Sequence, residues 1–227
     1  MQQEQEFYET ARAIVSFTDS YTLNKLGKQN EQTESESTSS ITKICSSLQF
    51  LRNQVLEINM CKQVIHIPKL LKSLTTLVTF RLSTHIDLDV DNQRLKVRSW
   101  NSDCLRWIQQ LGDEQDQSEL VNNGYGRVMS ISFSTAGGVG EEQDEEIRNG
   151  LHCIQYFLRE LHAGRNDYQP YFQPLPLLVR NTEEQIEEEG ADEEIDAQMN
   201  NNRLDGGIFY YAKWAKTAIL NRFILGG

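Results

Sequence analysis

The sequence predicts an all-α protein, a stack of amphipathic helices with long acidic loops and room for one short hairpin or strand. Three observations predict it. Apolar residues recur at steps of three and four along most of the chain. Strand-like alternation shows in only two short stretches, 85–100 and 127–134. Polar, glycine-punctuated connections separate the periodic segments.

Taken in order, residues 1–26 form an N-terminal helix. Phe7, Ala11, Ile14, Val15 and Phe17 fall at helical spacing, and Gly27 closes the pattern. Residues 27–40, GKQNEQTESESTSS, hold no large apolar side chain. Burial there cannot offset the entropy of ordering, so a flexible linker is expected. Thr38, Ser39 and Ser40 are cap candidates for the next helix, which carries Ile41, Ile44, Cys45, Leu48, Leu51 and Val55 on one face. Pro68 suits a first helical turn, where its missing N–H costs nothing. Leu71, Leu74, Leu77 or Val78, and Leu82 then follow at helical spacing. The short gap between these two helices suits antiparallel neighbours.

Residues 85–100, HIDLDVDNQRLKVRSW, fit a loop running into a helix or a short hairpin. A helical phase runs through Val97, Trp100, Cys104, Trp107 and Leu111 and ends at Gly112. Residues 112–126 read as an exposed loop, and RVMSISFS, 127–134, as the best strand candidate, with a buried helical turn as its alternative. Asp144 can cap a helix whose inward face is Ile147, Leu151, Ile154, Leu158 and Leu161. Glu145 and Glu146 suit its first turn, and Gly164 its end. Three prolines within 170–176 predict an extended crossing.

The stretch 182–205 holds nine acids between Glu183 and Asp196 and few apolar anchors, so it is expected outside the core, as a tether. The helical core is therefore 41–181. Residues 206–227 make a terminal helix, with Ile208, Tyr211, Ala215, Ala218 or Ile219, and Arg222 along one side and apolar neighbours spilling around it. So much apolar surface predicts docking, expected through the face that contains Trp214. Phe209, Tyr210, Trp214 and Phe223 are the candidate protein-binding residues.

The 33 acidic and 22 basic residues give a net charge of −11, which disfavours nucleic acid and anionic membrane as partners. No apolar run approaches a membrane span, and the acidic N-terminus is unlike a signal or transit peptide. A cytoplasmic protein with protein partners is expected. Cys45, Cys61, Cys104 and Cys153 show no CxxC spacing and sit in apolar surroundings, as reduced core thiols do.

Motifs for chemistry fail on inspection. Asp87, Asp89 and Asp91 mimic the start of a calcium loop, but Asn92 stands at the glycine position and Arg98 where the bidentate glutamate belongs. STAGGVGEEQDEE, 134–146, matches neither phosphate-loop pattern, and its acids repel phosphate. His66, His85, His152 and His162 form no paired-ligand pattern, and no serine lies in GxSxG. No catalytic residue, metal or cofactor is expected.

Such helices suit an α-solenoid of the armadillo or HEAT kind, although no clean repeat period appears. A narrower likeness lies in 151–173, LHCIQYFLRELHAGRNDYQPYFQ. An apolar helix is followed by His162 and Asn166 in a polar turn, then Gln169, Tyr171, Phe172 and Gln173. This resembles a unit of the helical homology domains of ryanodine and inositol trisphosphate receptors, where it marks a corner between stacked helices. EEEGADEEIDAQM, 187–199, is similar to that family's acidic glycine turn. It departs at Glu187, Glu188 and Glu189, where an apolar approach is usual, and at Ala191 in place of a second glycine. The resemblance implies a cytosolic regulatory part of a calcium-release channel. The residues by themselves support a non-catalytic interaction or scaffold module, with an enzyme of dispersed site as the third alternative.

Overall fold

The computed structural model describes residues 2–26, 38–56, 62–64, 66–80, 88–134, 144–168, 170–200 and 207–220, with backbone alone at 2–4, 24–26 and 144. The expectations for 27–37, Cys61, Leu82, His85, Asp87, the loop 135–143, Gln169, Arg222 and Phe223 lie outside these residues. Among the described residues the protein is all-α, with one isolated antiparallel bridge between Arg165 and Phe172 and no strand. The chain divides into two compact units, Met1–Gly112 and Asp113–Gly227, so the expected single core over 41–181 breaks at Gly112. Charge divides unevenly with them. The first unit has 13 bases and 12 acids, net +1; the second has 9 bases and 21 acids, net −12.

The first unit contains α1 (Gln2–Leu26), α2 (Thr38–Gln54), α3 (Leu70–Leu77) and α4 (Leu88–Leu111). Along α1, Phe7, Ala11, Ile14, Thr18 and Tyr21 are buried at steps of four and three. The stripe expected for α2 is buried throughout, from Ile41 to Val55. The helix begins at Thr38, so Thr38, Ser39 and Ser40 are helical and not the end of a linker. Pro68 precedes α3 instead of opening it: Lys69 takes the cap position in a left-handed conformation, φ 65°. The two helices are not the neighbours expected, because α2 and α3 each pack on α1 and α4.

From Leu88 onward the ambiguous stretch is helix, which removes the hairpin reading. The buried side of α4 also differs from the expected phase. Arg94, Val97, Arg98, Asn101, Cys104, Leu105, Ile108 and Gln109 face inward, while Trp100 and Trp107 are half-buried flanks. The polar members have work to do. Asn101 Nδ2 donates to the Leu74 carbonyl at 2.5 Å, and Arg98 Nη1 to the Phe80 carbonyl at 3.2 Å. Leu74 lies in the last turn of α3, whose carbonyls have no partner within the helix, so α4 supplies donors from the side.

The second unit contains α5 (Glu114–Asn122), α6 (Tyr125–Phe133), α7 (Asp144–Ala163), α8 (Pro176–Glu188), α9 (Ala191–Asn200) and α10 (Gly207–Leu220). The loop expected at 112–126 is largely α5. Asp113 caps it, accepting from the amides of Gln115 and Asp116, and Asp116 accepts in return from the Asp113 amide at 2.8 Å. The strand expected at 127–134 is α6, with Tyr125, Met129 and Phe133 buried four residues apart. Two glycines let it sit close to its neighbours. A Cβ on Gly126 would meet Thr182 Cγ2 at 3.0 Å, and one on Gly150 of α7 would meet Ser132 Oγ at 2.5 Å.

Helix α7 is the centre of this unit, packed by α6, α8 and α10, and its expected stripe from Ile147 to Leu161 is fully buried. The acidic stretch is not a tether over 182–200, and the long acidic loop expected there is two helices. Val179, Thr182 and Ile186 of α8 and Ala191, Ile195 and Gln198 of α9 are buried, with Gly190 turning the chain at φ 64°. Three- and four-residue steps among a few apolar anchors suffice, and the acids occupy the outer sides. No described helix is long and apolar enough to cross a membrane.

Candidate functional site

Helix α10 docks within its unit, but not through the expected face. Ile208, Ala212, Ala215, Ala218 and Ile219 are buried, and the helix lies against α7 and α9. The physical reason is size. Helix separation depends on the side chains at the contact, and alanines let α10 approach where indole and phenol rings would hold it off. The rings therefore point outward: Trp214 is 48% exposed, Tyr210 56%, Phe209 40%, and Leu220 44%.

The outward rings touch one another in sequence. Phe209 meets Tyr210 with centroids 5.6 Å apart, Tyr210 meets Trp214 at 6.4 Å, and Trp214 meets Tyr211 edge-on at 5.4 Å. The series continues onto α7, where His152 lies 5.6 Å from Tyr211 and 4.4 Å from Tyr156. Arg159 closes it, its guanidinium 4.3 Å from the Tyr156 ring centroid. Of the residues expected to bind protein, Phe209, Tyr210 and Trp214 are brought together here, and Phe223 lies outside the described residues. Sequence reasoning missed His152, Tyr156, Arg159 and Tyr211. The signal was available: His152, Tyr156 and Arg159 recur at i, i+4 and i+7 beside the apolar stripe of α7.

On the edge of α10 that meets α9, Lys216 pairs with Asp196. Asp192, Glu193 and Asp196 are exposed along that side of α9. Of the outer acids of α8 and its turn, Glu188 pairs with Arg127, Glu189 pairs with Arg127 at 2.9 Å, and Glu184 pairs with Arg180 at 3.1 Å.

The corner after α7 is built around a buried ion pair. Gly164 turns the chain at φ 74°, where a Cβ would come within 2.6 Å of the Phe172 carbonyl oxygen. Arg165 Nη2 donates to Glu160 Oε2 at 2.7 Å, both side chains being buried. The Arg165 guanidinium lies 5.0 Å from the Tyr168 ring and 4.7 Å from the Phe172 ring. Tyr168 donates its hydroxyl to Glu160, and burial, then that bond and the Glu160 charge, push the phenol up to about 12. Asn166 is exposed, and His162 faces Glu183 of α8 at 3.5 Å. The corner is held together by this buried pair.

Cys45, Cys104 and Cys153 are buried free thiols. Burial pushes Cys45 up to about 11, and raises Cys104 further, with the Asp103 charge adding to it. A nucleophile or metal ligand needs the thiolate, which these surroundings disfavour. Asp89 and Asp91 lie in the first turn of α4, with Arg94 3.6 Å from Asp91. Among the described residues no group of three or more His, Cys, Asp or Glu is placed to hold a metal ion. In the first unit, a groove of ≈ 680 Å³ is lined by Tyr8, Val15, Leu23, Ile67 and Pro68, with Arg12 and His66 on its walls.

No family model matches this chain, and no curated protein or solved structure matches it either.

Proposed function

We propose that this chain is a non-catalytic helical protein-interaction module and that a partner lands on the aromatic face of α10. One observation carries the reading: Phe209, Tyr210 and Trp214 form one exposed run of touching rings on a helix already anchored through its opposite side. Tyrosine and tryptophan are the residues that dominate binding energy at interfaces, and rings held in place lose little freedom on binding. The raised thiols count against Cys45 and Cys104 as nucleophiles. We further propose an armadillo- or HEAT-like arrangement, supported by local form, helix pairs such as α8 and α9 joined by a tight turn. Affinity capture from the source cell tests the reading, with wild type run beside Tyr210→Ala/Trp214→Ala. Partners held by the wild type should be lost from the double variant while its circular dichroism is unchanged. Full retention would move the binding site elsewhere.

A second reading is a cytosolic regulatory fragment of a calcium-release channel. It is supported by the form of 151–188, a helix, a glycine corner and an extended crossing into a second helix. A transcript that continues into six membrane helices would favour it, and a stop codon after Gly227 would sink it.

A further inference from the structure

We propose that the partner of the aromatic face is a cationic amphipathic segment, with arginines beside its apolar side chains. This rests on the reading of α10 as the binding face and adds the chemistry of what lands there. Charge is the first argument. The second unit carries net −12 against +1 for the first, so its overall charge favours the approach of a cationic segment over an acidic one. On the neighbouring helix α9, Asp192 and Glu193 are exposed beside Asp196, which pairs with Lys216 of α10.

Ring chemistry is the second argument. The face of an indole or phenol is negative and attracts a guanidinium, which also stacks flat on it as an ammonium cannot. The run of rings already shows this at one end, where Arg159 lies over Tyr156. At the other end Tyr210 and Trp214 present the same kind of surface to solvent. Apolar side chains of the partner fill the space between rings, and its arginines reach either a ring face or the carboxylates of α9. Lys213 is an exposed cation on α10, one turn on from Phe209 and Tyr210 and so within the same exposed face. It gives the partner one place for an acid and so favours one orientation. A nucleic acid is repelled by this overall charge, and two copies meeting through α10 would bring two net charges of −12 together.

The test uses the full chain with Trp100→Phe and Trp107→Phe, so that Trp214 reports alone. The probe is a synthetic amphipathic helix with arginines on one side and leucines on the other; its twin carries glutamates for the arginines. The arginine peptide should shift Trp214 emission to the blue and bind at least about tenfold more tightly than the glutamate peptide. Its affinity should fall by about tenfold or more between low salt and about 0.5 M salt. Tyr210→Ala, and separately Asp192→Asn/Glu193→Gln/Asp196→Asn, should each weaken it; all are exposed positions, and circular dichroism checks their folding. Equal binding of both peptides, lost with Tyr210→Ala, leaves the α10 face as the binding site and overturns the cationic partner. Binding that ignores Tyr210→Ala but is lost on neutralising α9 is diffuse attraction and overturns both readings. No binding of the arginine peptide, or self-association of the chain with burial of Trp214, overturns the inference too.

Discussion

Adding one methyl group at Gly150 tests how α6 is held. In an exposed helix interior, Gly→Ala gains about 1 kcal/mol of helix propensity. Here the new Cβ would meet Ser132 Oγ at 2.5 Å and both Cβ and Cδ1 of Phe133 at 3.2 Å. The serine hydroxyl can swing away, but it then gives up its bond to the Met129 carbonyl, 2.7 Å long. A half-buried bond of this kind contributes about 1 kcal/mol. The Phe133 Cβ cannot swing, because it is fixed to the α6 backbone and its ring is fully buried. Helix α6 must therefore shift, and overpacking of this kind costs about 1–3 kcal/mol. The balance is a loss of about 1–3 kcal/mol, opposite in sign to the propensity gain. Urea unfolding followed by Trp214 emission measures it in the Trp100→Phe/Trp107→Phe background, since Trp214 is the tryptophan of the second unit. Adding Ser132→Ala should return part of the loss, by removing the closest contact and the hydroxyl's bond together. A Gly150→Ala protein as stable as its parent, or more so, would refute the close approach of α6 to α7.

Leu158→Ala should cost roughly 2–5 kcal/mol in the same assay, because the side chain is fully buried in the central helix. Glu160→Gln should cost about 3–5 kcal/mol, since it leaves the Arg165 charge buried without its carboxylate; a loss under 1 kcal/mol would mean the corner is not held by that pair. The raised phenol of Tyr168 stabilises the fold while it stays protonated. Its contribution is complete below the ordinary tyrosine value of about 10 and is lost as pH rises through about 12, so the stability gap between wild type and Tyr168→Phe should close across that window. A gap constant from pH 8 to about 12 would contradict the linkage. Cys45, Cys104 and Cys153 should resist a thiol reagent near pH 8 in native protein and react at once in denaturant, mapped by mass spectrometry; fast native labelling of Cys104 would place it outside the core.

What could be read from the sequence depended on whether a helix's inner side was chemically pure. Helix α2 was legible because its stripe from Ile41 to Val55 is apolar and is the buried side. Helix α4 was read out of phase because Arg94, Arg98, Asn101 and Gln109 share its inner side. Two of them serve carbonyls at Leu74 and Phe80, a need that belongs to another segment and leaves no mark in local periodicity. In α6, Met129, Ile131 and Phe133 alternate with Val128, Ser130 and Ser132, so period two and steps of four fit the same residues. Contacts at Gly126 and Gly150, which only tertiary packing reveals, go with the helix. The acids of 182–200 did mark a solvated side. They also outnumbered the anchors Val179, Thr182, Ile186, Ala191 and Ile195 enough to hide two helices.

Helix α10 shows the limit most plainly. Its spacing marks one side, Ile208, Ala215 and Ala218 or Ile219, which is buried, but apolar residues spill around the helix and the large rings lie elsewhere. Ring area alone would choose Trp214, because large side chains gain most from leaving water. Closeness of approach decides otherwise: Ala212, Ala215 and Ala218 bring the backbone near α7 and α9, and the neighbouring contacts gain with it. The same choice strands Phe209, Tyr210 and Trp214 in water, ordered against one another. A side that would have been spent on internal packing is thus left presented, which is why the candidate interface and the misread docking face are the same residues.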